Sequence, residues 1–189
     1  VQNILNQKNS NILVSNSYMQ SLEYFDLYRN EIQLLFSPSN LCLEYIYNKY
    51  DVFTKSSVIN VSLHLRLEWG PNVKYDKQYY IDSINFIKDK YSNSMKTINF
   101  LVFSDNITEA KTMLCTCDVN FIWCINNKDY IDLWIMSLCD HNIICHSTFG
   151  WWGAYLNRSK NNIVLYPTEL INFYRKLYIC SKDICKEKF

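Results

Sequence analysis

From Val58 onward the chain repeats one pattern, short runs of apolar and β-branched residues separated by longer amphipathic stretches, with five runs and four stretches before Pro167. The apolar runs are near-continuous rather than alternating, which describes strands buried on both faces, and the stretches between them are long enough for helices. Val58–Leu67 reads as the first strand, with a loop through Gly70 and Pro71, and Lys77–Lys90 as a helix carrying Tyr80, Ile84 and Ile87 on one face. Ile98–Phe103 is the second strand, and Ser104 caps or precedes a helix that runs to about Leu114. Val119–Cys124 and a helix from Tyr130 to Cys139 follow, then Asn142–Cys145 and a helix opened by Ser147 and ending near Leu156. Ile163–Leu165 is the fifth strand, ended by Pro167. Such an alternation calls for a parallel sheet covered on both faces, a doubly wound α/β domain.

Ahead of this pattern, residues 1–12 are polar and expected to fray, Tyr18–Phe36 fits a helical face, and a loop around Pro38 leads to a second helix near residues 40–49. The chain therefore divides into a helical lead-in, residues 1–56, and an α/β domain, residues 57–189. Lys and Arg number 19 against 18 Asp and Glu. That balance lacks the basic stripe of a nucleic-acid-binding domain, so no nucleic-acid partner is expected. The eight cysteines form no C-x-x-C pair and no His/Cys array with metal-ligand spacing. Most lie in apolar runs, where they read as free buried thiols in a reducing compartment. The expected location is the cytoplasm or the cytosolic face of a membrane, or the Golgi lumen for part of a longer eukaryotic chain. No apolar run reaches the length of a membrane span and residues 1–12 lack a signal-peptide centre, so membrane association is not encoded in the chain. Three N-x-S/T sequons, at Asn60, Asn106 and Asn157, are what chance supplies in a chain with 22 Asn.

That Asn-rich, Ile-rich composition, with only 3 Gly and four Arg, looks like AT-rich coding drift, and the retained exceptions stand out against it. Gly150 and Gly153 share one four-residue window, and Arg66 follows His64 at the end of the first strand. Doubly wound sheets bind ligands outside the carboxyl ends of the strands, where strand order reverses. For the order 3-2-1-4-5 that crevice lies between the ends of strands one and four, which here carry His64-Leu65-Arg66 and Cys145-His146-Ser147-Thr148-Phe149-Gly150. Ser147 and Thr148 stand at a helix start, where unpaired N–H groups and the positive dipole end attract phosphate. Arg66 could grip the same anion with a bidentate guanidinium fork. Asp105, after strand two, is an acceptor-only carboxylate suited to a base or a ribose. Each feature alone has a plainer explanation: Ser-Thr as ordinary capping, Arg66 as a surface ion pair, Trp151-Trp152 as core. Convergence on one crevice favours a diphosphate clamp without a metal.

Three stretches carry a resemblance. His64-Leu65-Arg66, Phe103-Ser104-Asp105-Asn106, and the long run from Asp132 through Cys145-His146-Ser147-Thr148-Phe149-Gly150-Trp151-Trp152 to Asn157 resemble, in family order, the three motifs of the α-1,2-fucosyltransferases, glycosyltransferase family 11. Ser17-Tyr18-Met19-Gln20-Ser21-Leu22-Glu23-Tyr24-Phe25 is similar to that family's G-Y-F-Q-S-x-x-Y-F stretch. The resemblance implies the Rossmann-like C-terminal half of a GT-B type enzyme, with the lead-in as a remnant of the N-terminal domain. It implies inverting, metal-independent transfer of fucose from GDP-fucose to a hydroxyl of a galactoside-type oligosaccharide, with no cofactor. Arg66 and His64 match the H-x-R-R-G-D motif, and Glu68 could take over its acidic role by a one-residue shift. Arg66, Asp105, His146, Ser147, Thr148 and Phe149 match donor-binding positions. The family's second arginine is Leu67 here, its Gly and Asp are Glu68 and Trp69, its Asn before the serine pair is His146, and its Gly-rich G-G-L-G-N-Q loop is absent. These departures support an alternative, a non-catalytic nucleotide-sugar or glycan-binding module on a decayed transferase scaffold.

Overall fold

The computed structural model describes residues 26–68 and 77–167. The Ser17–Phe25 stretch, Trp69, the Gly70–Pro71 loop, and Cys180 and Cys185 lie outside the described residues. Five strands, β1 (Val58–Leu65), β2 (Thr97–Ser104), β3 (Asn120–Trp123), β4 (His141–Ile143) and β5 (Val164–Leu165), form one sheet in the order β3-β2-β1-β4-β5. All four pairings are parallel, and β1 matches β2 over its full length from Val58↔Thr97 to Leu65↔Ser104. The expected 3-2-1-4-5 order and its switch between β1 and β4 are thus present. The helices are α1 (Arg29–Leu35), α2 (Asn40–Lys49), α3 (Lys77–Lys90), α4 (Ile107–Leu114), α5 (Asp129–Leu138) and α6 (Thr148–Leu156).

The sheet sorts its side chains by parity, as a pleated strand must. Ile59, Val61, Leu63 and Leu65 of β1 pack with Phe100 and Val102 against Tyr80, Ile84 and Ile87 of α3 and Ala110 and Leu114 of α4. The opposite face receives Leu101 and Phe103, beneath Ile131, Ile135 and Met136 of α5. The lead-in joins this second layer. Ile46 of α2, with Tyr50 and Val52, packs into the same cluster, and the Gln33 amide of α1 donates to the Tyr155 carbonyl of α6 at 2.9 Å. Trp151 and Trp152, partly buried like Ile32, pack against a third cluster that includes Tyr155 and Leu156, so this pair serves packing.

On the second face the strands depart from the expected apolar runs. Asn60, Ser62, Asn99 and Asn142 are all buried. Buried amides cost free energy unless their hydrogen bonds are met. Asn99 donates to Asn60 Oδ1 at 3.1 Å, Asn60 to the Val52 carbonyl at 3.2 Å, and Asn142 to Ser62 Oγ at 2.7 Å and the Met136 carbonyl at 2.9 Å. Asn142 Oδ1 in turn accepts from Asn157 and Asn162, both at 2.8 Å. Two sequon asparagines, Asn60 and Asn157, are therefore spent inside the fold. The third, Asn106, is the N-cap of α4, accepting from the Glu109 N–H at 3.0 Å, and Ser104 stands one step earlier, accepting from Asn106 N–H at 3.1 Å. The cysteines of the described region are free thiols, with Cys124, Cys139 and Cys145 buried. No described helix is long and apolar enough to cross a membrane.

Two glycines set how closely α6 approaches the rest. A Cβ on Gly150 would lie 2.5 Å from His64 Nδ1, and one on Gly153 would lie 2.8 Å from the Met136 Cβ of α5. Both distances are below any real contact. The His64 ring is 5% exposed and has little room to retreat. Gly150→Ala is therefore expected to destabilise the protein by about 1–3 kcal/mol through overpacking. In a His64→Ala background the same change should cost much less, read by denaturant unfolding as a double-mutant cycle.

Candidate functional site

The cleft lies at the carboxyl ends of the strands, bordered by the loop after β1, the end of β2 and the starts of α5 and α6. It encloses about 450 Å³, lined by His64, Arg66, Phe103, Ser104, Asp105, Asp129, Asp132, Ser147, Thr148 and Phe149. Volumes of this order suit small-molecule ligands. Six of the residues singled out from sequence, His64, Arg66, Asp105, Ser147, Thr148 and Phe149, meet in it. Glu68 and His146 are not among its lining residues.

The loop after β1 is held by one carboxylate. Asp105 Oδ1 accepts from the Leu67 N–H at 2.7 Å, and Oδ2 accepts from the Glu68 N–H at 3.0 Å and pairs with Arg66 Nε at 3.2 Å. Asp105 thus anchors Arg66 through Nε, and a phosphate can still be taken end-on by the two terminal amino groups of the guanidinium. Strand β1 ends at Leu65, two residues before its predicted end, because Leu67 N–H and Glu68 N–H turn to Asp105 instead of extending the ladder. Leu67, at the position of the family's second arginine, is 8% exposed and packs in the core beneath α3. The Glu68 carboxylate meets the Asn106 amide at 3.4 Å rather than the cleft.

Across the cleft, Ser147 is the N-cap of α6, its Oγ accepting from the Phe149 N–H at 3.3 Å. The first turn of α6 therefore presents backbone N–H groups and the positive dipole end toward Arg66. Under this turn His64 packs against Phe149 with ring centroids 5.7 Å apart, and its Nδ1 lies 3.5 Å from Cys145 Sγ. Burial lowers the His64 pKa to about 4, with the nearby Asp105 working the other way, so the ring is neutral at physiological pH. Burial pushes the Cys145 thiol up to about 12, so it is not a thiolate nucleophile.

Two further carboxylates line the cleft, and the residue-level reading of the sequence did not find them. Asp129 and Asp132 stand in the first turn of α5, a favourable place for carboxylates at the helix dipole. Burial raises the Asp132 pKa to about 6, reinforced by Asp129 and opposed by the Asn127 amide and Lys49. The available signal was topological: α5 starts at the same sheet end as Arg66 and Ser147, which makes acidic residues in its first turn candidates for the same crevice. The cleft is thus lined by one guanidinium, a helix N-terminus and three carboxylates, of which Asp105 is paired with Arg66 while Asp132 is held by Asn127. No group of three or more His, Cys, Asp or Glu able to hold a metal ion occurs among the described residues.

Comparisons with known proteins show the family to which the chain belongs. An Escherichia coli α-1,2-colitosyltransferase is 31% identical in an alignment covering 91% of this chain and 60% of its own length. The O-antigen biosynthesis glycosyltransferase WbnK of Escherichia coli is 31% identical, over 80% of this chain and 53% of its own length. The chain thus spans somewhat over half the length of these curated relatives. Among solved structures, POFUT1 in complex with GDP superposes with a TM-score of 0.48 at 16% identity, covering 68% of this chain and 46% of that one. The profile of glycosyl transferase family 11 matches residues 65–178, more than half of the chain and all of the site elements from Leu65 onward, and the chain belongs to that family.

Proposed function

We propose that the cleft binds GDP-fucose, and that the enzyme to which this domain contributes transfers the fucose, with inversion and without a metal, to a hydroxyl of a galactoside-type oligosaccharide. The observation that carries this reading is the meeting of Arg66, the N-terminus of α6 and the Asp132 carboxylate in one cleft. A nucleoside diphosphate has a doubly charged middle and a neutral base rich in donors, and the cleft lining offers both a cation with helix N–H groups and a carboxylate acceptor. Arg66 and the N–H groups behind Ser147 and Thr148 take the diphosphate. Asp132 takes the base: guanine carries adjacent N1–H and N2–H donors on one edge, which a carboxylate accepts together, whereas adenine presents an acceptor at N1. His64 and Phe149 shape the wall under the diphosphate, and Asp105 keeps Arg66 in place.

In the transfer, the acceptor hydroxyl oxygen attacks the anomeric carbon from the face opposite the phosphate. The bond from that carbon to the β-phosphate oxygen breaks, and the acceptor proton leaves to a base. Negative charge collects on the departing GDP, where Arg66 and the start of α6 are already fixed, so their attraction grows toward the transition state. One Escherichia coli relative is named for colitose, a deoxyhexose lacking one hydroxyl of fucose, so colitose is the competing donor sugar.

GDP at a hundredfold excess over its dissociation constant should stabilise the protein by about 2.7 kcal/mol, with or without EDTA; a melting scan that does not move with millimolar GDP would sink the donor assignment. Arg66→Ala should weaken GDP by about 10–100-fold and GMP by much less, because the lost charge-assisted contact is to the distal phosphate. Equal losses in a calorimetric titration would remove Arg66 from that role. Asp132→Asn should cost GDP about tenfold and leave ADP unchanged, and a parallel loss for both nucleotides would refute the reading of the base.

A second reading is favoured by Leu67, whose burial leaves Arg66 as the lone Lys or Arg lining the cleft among the described residues. On that reading the domain binds the nucleotide sugar without transferring it. Transfer of labelled fucose to a β-galactoside by the chain would exclude it.

A further inference from the structure

Asp132 is fixed from outside its own helix. The turn between β3 and α5 passes through Asn126, whose φ of 57° lies in the left-handed region that asparagine tolerates better than most residues. This places the Asn127 side chain between three elements. Its amide nitrogen donates to Asp132 Oδ1 at 2.7 Å and to the Tyr50 hydroxyl at 2.8 Å. Its amide oxygen accepts from Lys49 Nζ at 2.6 Å. Lys49 Nζ also donates to the carbonyls of Ile125 at 3.0 Å and Asn126 at 3.4 Å. One ammonium at the end of α2 therefore pins the whole turn, and a single amide passes that constraint to the cleft carboxylate. The relay Lys49–Asn127–Asp132 joins residues more than seventy positions apart into one hydrogen-bonded line.

The groups facing Asp132 can be named element by element. Asp129, on the same turn of α5, opposes its ionisation, and Lys49 on α2 supports it. Tyr50 after α2 and Cys124 after β3 face the same cluster, and burial pushes both well above their usual range, so they are neutral there. Arg66 lines the cleft with it. Lys49 is thus the cation on the outer side of Asp132, and Asn127 is the neutral donor between them.

Building on the reading of the cleft as a guanine-nucleotide site, we propose that Asn127 and Lys49 are positioning residues for donor recognition. They hold the Asp132 carboxylate as an acceptor for the nucleobase, so that base selection belongs jointly to α2 and α5. Neither residue needs to touch the nucleotide. Asn127 fixes the rotation of the carboxylate through Oδ1, and Lys49 fixes Asn127 and supplies the charge that favours the ionised form.

The test is a calorimetric titration of GDP, ADP and pyrophosphate against wild type, Asn127→Ala, Lys49→Met and Lys49→Arg across the neutral and mildly acidic range. In wild type, GDP affinity should fall as pH drops through about 6, where Asp132 takes up its proton and loses its acceptor role. In Asn127→Ala and Lys49→Met that fall should move to higher pH by about one unit, equivalent to about fivefold weaker GDP binding at the wild-type midpoint and approaching about tenfold below it. ADP and pyrophosphate should keep their wild-type profiles in both variants, which also reports that the domain remains folded. Lys49→Arg, retaining the charge, should keep the wild-type GDP profile. An unshifted GDP profile in both variants, or the same shift for ADP, overturns the proposal while leaving the donor assignment intact. Wild-type protein that binds neither nucleotide overturns both.

Discussion

The wall of the cleft depends on the bare α-carbon of Gly150. With only a hydrogen there, the first turn of α6 comes down onto the His64 ring, and the end of β1 and the start of α6 become two walls of one crevice. A methyl group would sit 2.5 Å from the imidazole and lift the helix away from the sheet. The approach has two further consequences. It buries His64 and so keeps it neutral, which removes a positive charge from under the wall that Arg66 shares with the helix N-terminus. It also brings Gly153 of α6 against Met136, so that α5, with its two acidic residues, is held at a fixed distance from the same crevice.

The second constraint is polar. One face of the sheet buries a set of asparagines, and their amides bond to one another, to Ser62 and to the carbonyls of Val52 and Met136. A partly satisfied network of this kind would be costlier than an apolar layer; satisfied, it fixes one arrangement of strands and helices. The same logic runs at the rim, where Asp105 satisfies two loop N–H groups and orients Arg66, and where Asn127 joins Lys49, Tyr50 and Asp132. The short helical lead-in contributes to the core through Ile46, Tyr50 and Val52 and to the rim through Lys49.

Much of this was legible in the linear chain. The number, order and type of elements after Val58 follow from hydrophobic periodicity, and the switch point between β1 and β4 follows from the doubly wound pattern. His64, Arg66, Ser147, Thr148 and Phe149 could therefore be placed on one crevice before any coordinates. Strand ends were less legible, because they depend on where backbone N–H groups find a better partner, as Leu67 and Glu68 do on Asp105. The buried asparagines are indistinguishable in the chain from compositional drift, since nothing local separates an amide with a partner from one without. The resemblance gives Glu68 the acidic role of the H-x-R-R-G-D motif by a one-residue shift, yet adjacent residues on a loop point in different directions, and its carboxylate meets Asn106.

By itself the sequence determined the α/β architecture and the residues at the strand ends, because burial periodicity and helix capping are local properties written in residues a few positions apart. Only the tertiary structure decided what each charged group does. Asp105 takes Leu67 from 38 positions away, and Asn127 takes Tyr50 from 77. A carboxylate acquires its role from the donors that folding delivers to it, and those donors lie on other elements.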